Sequence, residues 1–444
     1  TEDATLFVPI VLSAAGLNSS FFTSELTLTN RGPKDATLDL TYVPAFGEGS
    51  GSVTTTLPAG KQWIFPDAIE YLRSLGLPIL ATGNQGGTVS IHVAGTSPSD
   101  VAAMVRTATA AGRGRAGLAY PAVPASKALN DPVYLLGLRQ NEQDRSNVAV
   151  QNAGGPGEGD IVLRLTIFSG DRGRPLSLVL PEIQLGPGEF RQINGILNSV
   201  GGALLSGYVR VEKLSGSAPY YAYGVINDQM SSDGSFVPPT PRFLAAGQFA
   251  LWLPAVVESD EFNTEVVVTN WSASRKVIQL GFQAQALAND GKVASVSVEL
   301  DGGEQKIIPR FVQYLRDHGM DDVGPMGPTY VGQSLQQMPL NLSAIFWKAS
   351  RSARVRLRRV LEVIMGSFTL GYPTRIHPYS PAFGFMACSR IRRIVLTWPW
   401  QVQEFRPLKI ELPVNSGLNF LTVTKVLGSV SSRMLLSVWS PGNN

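Results

Sequence analysis

What most constrains this chain is that it repeats itself. "FFTSELTLTNRG" at 21–32 returns as "EFNTEVVVTNWS" at 261–272, with Phe22, Glu25, Thr29 and Asn30 recurring as Phe262, Glu265, Thr269 and Asn270. A weaker copy, "DRSNVAVQNAG" at 144–154, places Asn152 where Asn30 stands. Each copy reads as an alternating strand that stops at an asparagine turn, since Asn tolerates left-handed backbone angles. Copies at this period mean that units follow one another in line and bury their faces against neighbours.

A second block follows each strand. "LPAGKQWIFPDAIEYLRSLG" at 57–76 matches "LDGGEQKIIPRFVQYLRDHG" at 300–319, and "LGPGEFRQINGILNSVGG" at 185–202 is the middle copy. The pattern predicts a glycine turn, a short strand and one brief helix, with Pro66 and Pro309 in the first turn and Gly76 and Gly319 as stops. Ile69, Leu72 and Leu75 recur every three residues, an apolar stripe to lay on a sheet. The openings also look alike: "FVPIV" at 7–11, "AYPAV" at 119–123 and "WLPAV" at 252–256. The expected organisation is a type A unit at 1–118, type B at 119–245 and type A again at 246–350. Glycine and proline stretches at 111–117 and 238–247 are the expected linkers.

An A-B-A order calls for a second B unit, yet residues 351–444 do not read as one. Of 37 Lys and Arg and 34 Asp and Glu, 13 and 3 lie in this tail, together with the only cysteine, Cys388. The residues before it are therefore acidic on balance and carry no electrostatic footprint for nucleic acid. Back-translated and read from the third base of each codon, Met386-Ala387 must give glycine and Trp398-Pro399 must give alanine. These fall where Gly137 and Ala149 stand in "YLLGLRQNEQDRSNVAVQNAG" at 134–154. The tail is thus expected to be the frameshifted remnant of a second type B unit, poorly structured because a shifted frame carries no selected apolar pattern. Sequencing codons 345–360 of the gene is expected to show a slip near 351–355. One uninterrupted frame from the body into the tail would refute it.

At 444 residues, with 45 Gly, 30 Pro and 16% charged residues, the chain suits about three domains of ~100–150 residues, made of short strands and turns. The expected fold is all-β: three tandem antiparallel β-sandwiches, each with one short helix. The strand–asparagine motif "LTLTNRGPKDATLDLTY" at 26–42 resembles that of tandem immunoglobulin-like repeats of bacterial secreted and cell-surface proteins. That resemblance implies stalks, adhesins or spacers whose partners are neighbouring repeats, other surface proteins or glycans. The first 350 residues hold no cysteine, which fits a secreted bacterial protein, and no apolar run is long enough to span a membrane. The chain begins at Thr1, so any signal peptide is expected to lie outside it. An extracellular or cell-surface location is expected.

Catalytic signatures do not emerge. The three histidines, His92, His318 and His377, form no metal or triad pattern, and His377 lies in the tail. Acidic clusters at 227–234, 258–265 and 289–291 give calcium as a secondary reading, with Asp228 and Asp233 as ligands. Turns account for them better. Glu258 and Asp260 are the acidic pair that an enzyme would need. The polar run at 137–147 places Arg139, Asn141, Arg145 and Asn147 before a strand, where bonds between repeats outweigh ligand binding. Tyr221 and Tyr223 share one face of a strand and, with Trp252, could stack on sugar rings, although packing within the sandwich with one ring face buried is the preferred reading. The expected role is a non-enzymatic structural or adhesive array without cofactors, the alternative a carbohydrate-binding accessory module.

Overall fold

The computed structural model describes residues 4–17, 19–112, 114–155, 157–200, 204–241, 250–259, 263–284, 293–319, 323 and 329–337, and in the tail 408–411, 420–428 and 431–439. Among these residues the chain is mostly β, in antiparallel sheets, with two short α-helices.

The first segment holds β1 (Thr5–Ala15), β2 (Phe21–Asn30), β3 (Ala36–Phe46), β4 (Gly51–Leu57), β5 (Gln62–Phe65), α1 (Ala68–Ser74), β6 (Gln85–Ala94), β7 (Val101–Ala111), β8 (Gly114–Pro121) and β9 (Val123–Pro124). Its strands run β4-β3-β6-β1-β2-β7-β8, with β5 on β2 and β9 on β1. The second segment holds β10 (Val133–Arg139), β11 (Asp144–Asn152), β12 (Ile161–Ser169), β13 (Ser177–Val179), β14 (Ile183–Leu185), β15 (Phe190–Ile193), β16 (Ser206–Ser215), β17 (Tyr220–Asp228), β18 (Gly234–Val237) and β19 (Thr240–Pro241). Two sheets form there, β13-β12-β16-β10-β19 and β15-β11-β17-β18. The third has β20 (Ala250–Ser259), β21 (Val266–Thr269), β22 (Lys276–Ala284), β23 (Val293–Leu300), β24 (Gln305–Ile308), α2 (Phe311–Asp317) and β25 (Thr329–Gln337), paired as β20-β25-β22-β23 and β21-β24. In the tail, β26 (Leu408–Glu411), β27 (Phe420–Gly428) and β28 (Ser431–Trp439) pair as a separate three-stranded sheet. That paired backbone departs from the expectation of a poorly structured tail. Cys388, His377 and the rest of the tail lie outside the described residues.

Alternation explains the cores. Leu26 and Leu28 of β2, Leu38 and Leu40 of β3 and Val89 and Ile91 of β6 point inward onto one cluster, with Ile69 and Leu72 of α1 laid against it. Val148 and Val150 meet Leu163, Leu165, Val209 and Val211 in the second segment, while Val266, Val268, Ile278, Leu280, Phe311 and Leu315 do the same in the third.

The three matching asparagines do one job. The Nδ2 of Asn30 donates to the carbonyls of Lys34 (2.8 Å) and Leu57 (3.0 Å), while its Oδ1 accepts from the Gly32 N–H (2.9 Å). Asn152 donates to Gly159 (3.1 Å) and Leu185 (3.0 Å) and accepts from Gly154 (2.8 Å). Asn270 donates to Ser274, Leu300 and Asp301 and accepts from Ser272. None of the three has a positive φ, so the expected left-handed turn is corrected. The amide is a clip that ties a loop to a strand end 27 to 33 residues away. The left-handed positions belong instead to Gly60, Gly188 and Gly303, at φ 66°, 74° and 80°, the glycines of the matching second blocks.

The opening strands also share a device. β1 slips register between Val8 and Val11, β10 between Leu135 and Leu138, and β20 between Leu253 and Val256. Just past each bulge, a hydroxyl six residues before the clip accepts a backbone N–H: Ser24 from Leu12 (2.9 Å), Ser146 from Arg139 (2.8 Å) and Thr264 from Val257 (2.7 Å). The opening strand of the second segment is therefore β10. "AYPAV" at 119–123 lies instead on β8 and β9, and β9 pairs back onto β1 through Phe7↔Val123. The sheet of the first segment thus runs past residue 118 to Pro124. The expected linker at 111–117 falls within the β7–β8 hairpin, where Ala108 pairs with Gly117 and Ala111 with Gly114. Of 238–247, Thr240 and Pro241 form β19 on β10, while 242–247 lie outside the described residues.

Helix ends differ from expectation in detail. Asp67 caps α1 by accepting the Glu70 N–H (3.0 Å), so Pro66 precedes the cap, as Pro309 precedes Arg310 at α2. The middle copy makes only a 3-10 turn, Ile196–Ser199. Gly76 and Gly319, at φ 106° and 78°, stop the helices as expected.

Candidate functional site

Among the sequence-predicted residues, Arg139 has the most consequential surroundings. It ends β10, and its guanidinium meets the carboxylate of Glu265 in a two-pronged pair at 2.7 and 2.6 Å. Both side chains are nearly sealed, 5% and 11% exposed. Such a planar fork matches a carboxylate in direction as well as charge.

Beside it, Gln305 of β24 reaches into the second segment. Its Oε1 accepts the Gly137 N–H (2.7 Å), and its Nε2 donates to Ser206 Oγ (2.9 Å) and the Gly207 carbonyl (3.1 Å). Gly137 sits inside the bulge of β10 at φ 76°, where the ladder skips it. The glutamine takes up the N–H that the bulge leaves spare. Glycine is required around it: a Cβ on Gly170 would lie 2.6 Å from Cβ of Gln305. Trp271 completes the contact by stacking on Tyr134, centroids 4.6 Å apart and planes 3° apart, with Tyr208 and Phe168 behind. The second and third segments are thus joined by a buried polar and aromatic seam.

The first and second segments join differently. Tyr223 packs between Tyr120 and Phe236, and Ala149, Phe190 and Tyr223 belong to the core cluster of the first segment. Thr88 donates to the Gly188 carbonyl (2.7 Å), and the Gly117 N–H donates to Asp233 (3.0 Å).

This packing agrees with the preferred reading of the tyrosines and leaves little room for the sugar-stacking alternative. Tyr223 is 3% exposed, and the part-buried Tyr221 lies against Phe7, Val123 and Ala153, so both rings are engaged in packing. The side chain of Trp252 lies outside the described residues. Asn141 shapes its own turn, accepting N–H groups from Gln143 (2.8 Å) and Asp144 (2.7 Å), and Asn147 accepts the Gly195 N–H (3.0 Å). Arg145 pairs through its backbone with Asn227, and its half-buried side chain makes no contact with a neighbouring segment among the bonds described. Asp228 is likewise a turn-former, holding the N–H groups of Met230 and Ser231. No group of three or more His, Cys, Asp or Glu able to hold a metal occurs among the described residues. Glu258 is buried against Arg316 (2.5 and 3.0 Å), and Asp260 lies outside the described residues.

Sequence reasoning singled out Arg139 and missed Glu265, Gln305 and Trp271 as its seam. The signal was present in part, since Glu25 and Glu265 recur at matching positions.

Burial raises the tyrosines. Desolvation pushes Tyr42 and Tyr221 up to about 12 and Tyr223 well above the usual value of 10. The fold therefore favours their neutral form. That stability is complete below the unfolded value near pH 10 and is lost as pH rises through about 12. The melting temperature is expected to hold to about pH 10 and then fall, with the tyrosinate absorbance of these buried rings appearing only as the chain unfolds. Full ionisation of these rings near pH 10 in a folded chain would refute this.

No protein-family model matches this chain, and no curated protein shows similarity to it.

Proposed function

We propose that this chain is a non-enzymatic, extracellular array of tandem immunoglobulin-like β-sandwich units, acting as a structural or adhesive element or spacer at the cell surface. Three units are read from three clips, three bulges and three glycine turns in the same order along the chain. The observation that carries the reading is the seam of Arg139, Glu265 and Gln305. It holds one unit to the next through a buried two-pronged ion pair and the bonds of one glutamine. Contacts of this kind turn beads on a string into a stiff stack, which is what a stalk or spacer needs.

Pulling on the full chain by its two ends tests this. Each unit is expected to give a separate force peak, releasing roughly 37–43 nm of contour from ~110–125 residues at about 3.4 Å per residue. One peak releasing the whole length at once, or extension without resisting force, would overturn the mechanical reading. Antibody labelling of intact cells tests the location: the chain is expected at the surface or in the medium, and confinement inside the cell would exclude it.

A further inference from the structure

The seams follow one rule. The outer face of β15-β11-β17-β18 in the second segment is covered by the first segment, and the outer face of β21-β24 in the third is covered by the second. The centre of each covered face is the residue three before the clip asparagine: Ala149, 1% exposed, and Val267, 0% exposed. In the first segment that position is Thr27, 8% exposed, on the face β5-β2-β7-β8, where the flanking Ile64 and Met104 stay open among the described residues.

Apart from the Thr27 hydroxyl, the row across that face is apolar. Register places Ile64, Thr27, Met104 and Pro121 side by side, with Ile64 55% and Met104 43% exposed. The next row carries charge. Glu25 stands directly opposite Arg106, both half-buried, and neither forms an ion pair among the described residues. Glu25 matches Glu265, which in the third segment receives the guanidinium of Arg139. Here the corresponding place is a shallow cavity of about 360 Å³, lined by Phe21, Glu25, Asp67, Arg106 and Arg115 among others.

We propose that this face is the interface with a second copy of the same chain, packed face to face about a two-fold axis. The charges select that partner. A two-fold contact is self-complementary, so it sets Glu25 of one copy over Arg106 of the other and repeats the pair in reverse. Meanwhile Ile64 and Met104 leave water against their counterparts. A glutamate and an arginine standing adjacent but unpaired on one sheet satisfy each other twice in this arrangement. The chain would thereby form antiparallel pairs joined at their first segments.

Sedimentation of the full chain measures this directly. The wild-type chain is expected to run as a dimer at micromolar concentration. Glu25→Arg alone or Arg106→Glu alone sets like charges against each other twice, and each variant is expected to weaken the dimer at least about 100-fold and run as a monomer. Mixing the two monomeric variants restores both attractions, so a one-to-one heterodimer is expected, and the double exchange within one chain restores the homodimer. Met104→Lys, on the apolar row, gives a second route to the monomer should a charge variant not fold. A wild-type chain that stays monomeric at tens of micromolar, or a dimer indifferent to all three single changes, would overturn the proposal. A mixture that stays monomeric although both variants are folded would overturn the two-fold pairing.

Discussion

Glu265→Ala is expected to destabilise the junction between the second and third segments by about 3–5 kcal/mol, the usual result of stripping one partner from a buried ion pair. The change leaves the Arg139 guanidinium 5% exposed, with its carboxylate gone. Its remaining acceptor nearby is the Gly137 carbonyl, at 3.3 and 3.4 Å, which returns little of what is lost. The cheapest escape is for the third segment to lift away and let water reach Arg139. The loss should therefore appear first as faster amide exchange at Gly137, Ser206 and Gln305, and then as a lower urea midpoint. Arg139→Met together with Glu265→Leu is expected to stay within about 1–2 kcal/mol of the wild type, since apolar groups of similar size can replace a buried pair. If Glu265→Ala leaves both exchange and midpoint unchanged, the seam contributes nothing and the stiff-stack reading goes with it.

The second large effect is expected at Asn152. Its amide holds two carbonyls and one N–H, and it is fully buried. Asn152→Ala strands these groups without water. At about 1–3 kcal/mol for each buried group left unsatisfied, a total near 3 kcal/mol is reasonable, because some can relax toward solvent. For a segment of ~110–125 residues, at about 2.1 cal/mol/K per residue, that is a fall of about 12 °C in melting temperature. Asn152→Asp separates the two explanations of the residue. Aspartate enters turns as readily as asparagine, so a turn-former would tolerate it. A clip would not, because a carboxylate oxygen would then face the carbonyls of Gly159 and Leu185. The aspartate variant is expected to be at least as damaging as alanine by calorimetry, and a near-wild-type melt would restore the turn explanation.

Legibility in the sequence tracked distance along the chain. Alternation in "LTLTN", the glycine of "PAG" and the stops at Gly76 and Gly319 were readable, because a strand face, a left-handed φ and a helix end depend on residues within a few positions. The asparagine was correctly marked as special but for the wrong reason: its true partners, Leu57, Leu185 and Leu300, lie about thirty residues on. "AYPAV" misled because two strands of similar composition can open one sheet or close another. Only the pairing of Val123 with Phe7 tells them apart. For the tyrosines alternation says that Tyr221 and Tyr223 share a face, so packing was legible, but not which segment covers that face.

By itself, the sequence determined that this chain is built of short antiparallel strands in recurring blocks, because strand period and turn chemistry are written locally. The tertiary structure alone decided which faces meet. Arg139 finds Glu265 126 residues away and Gly137 finds Gln305 at a separation of 168, each because packing one sheet on another leaves a charge or an N–H that only the opposite sheet can satisfy.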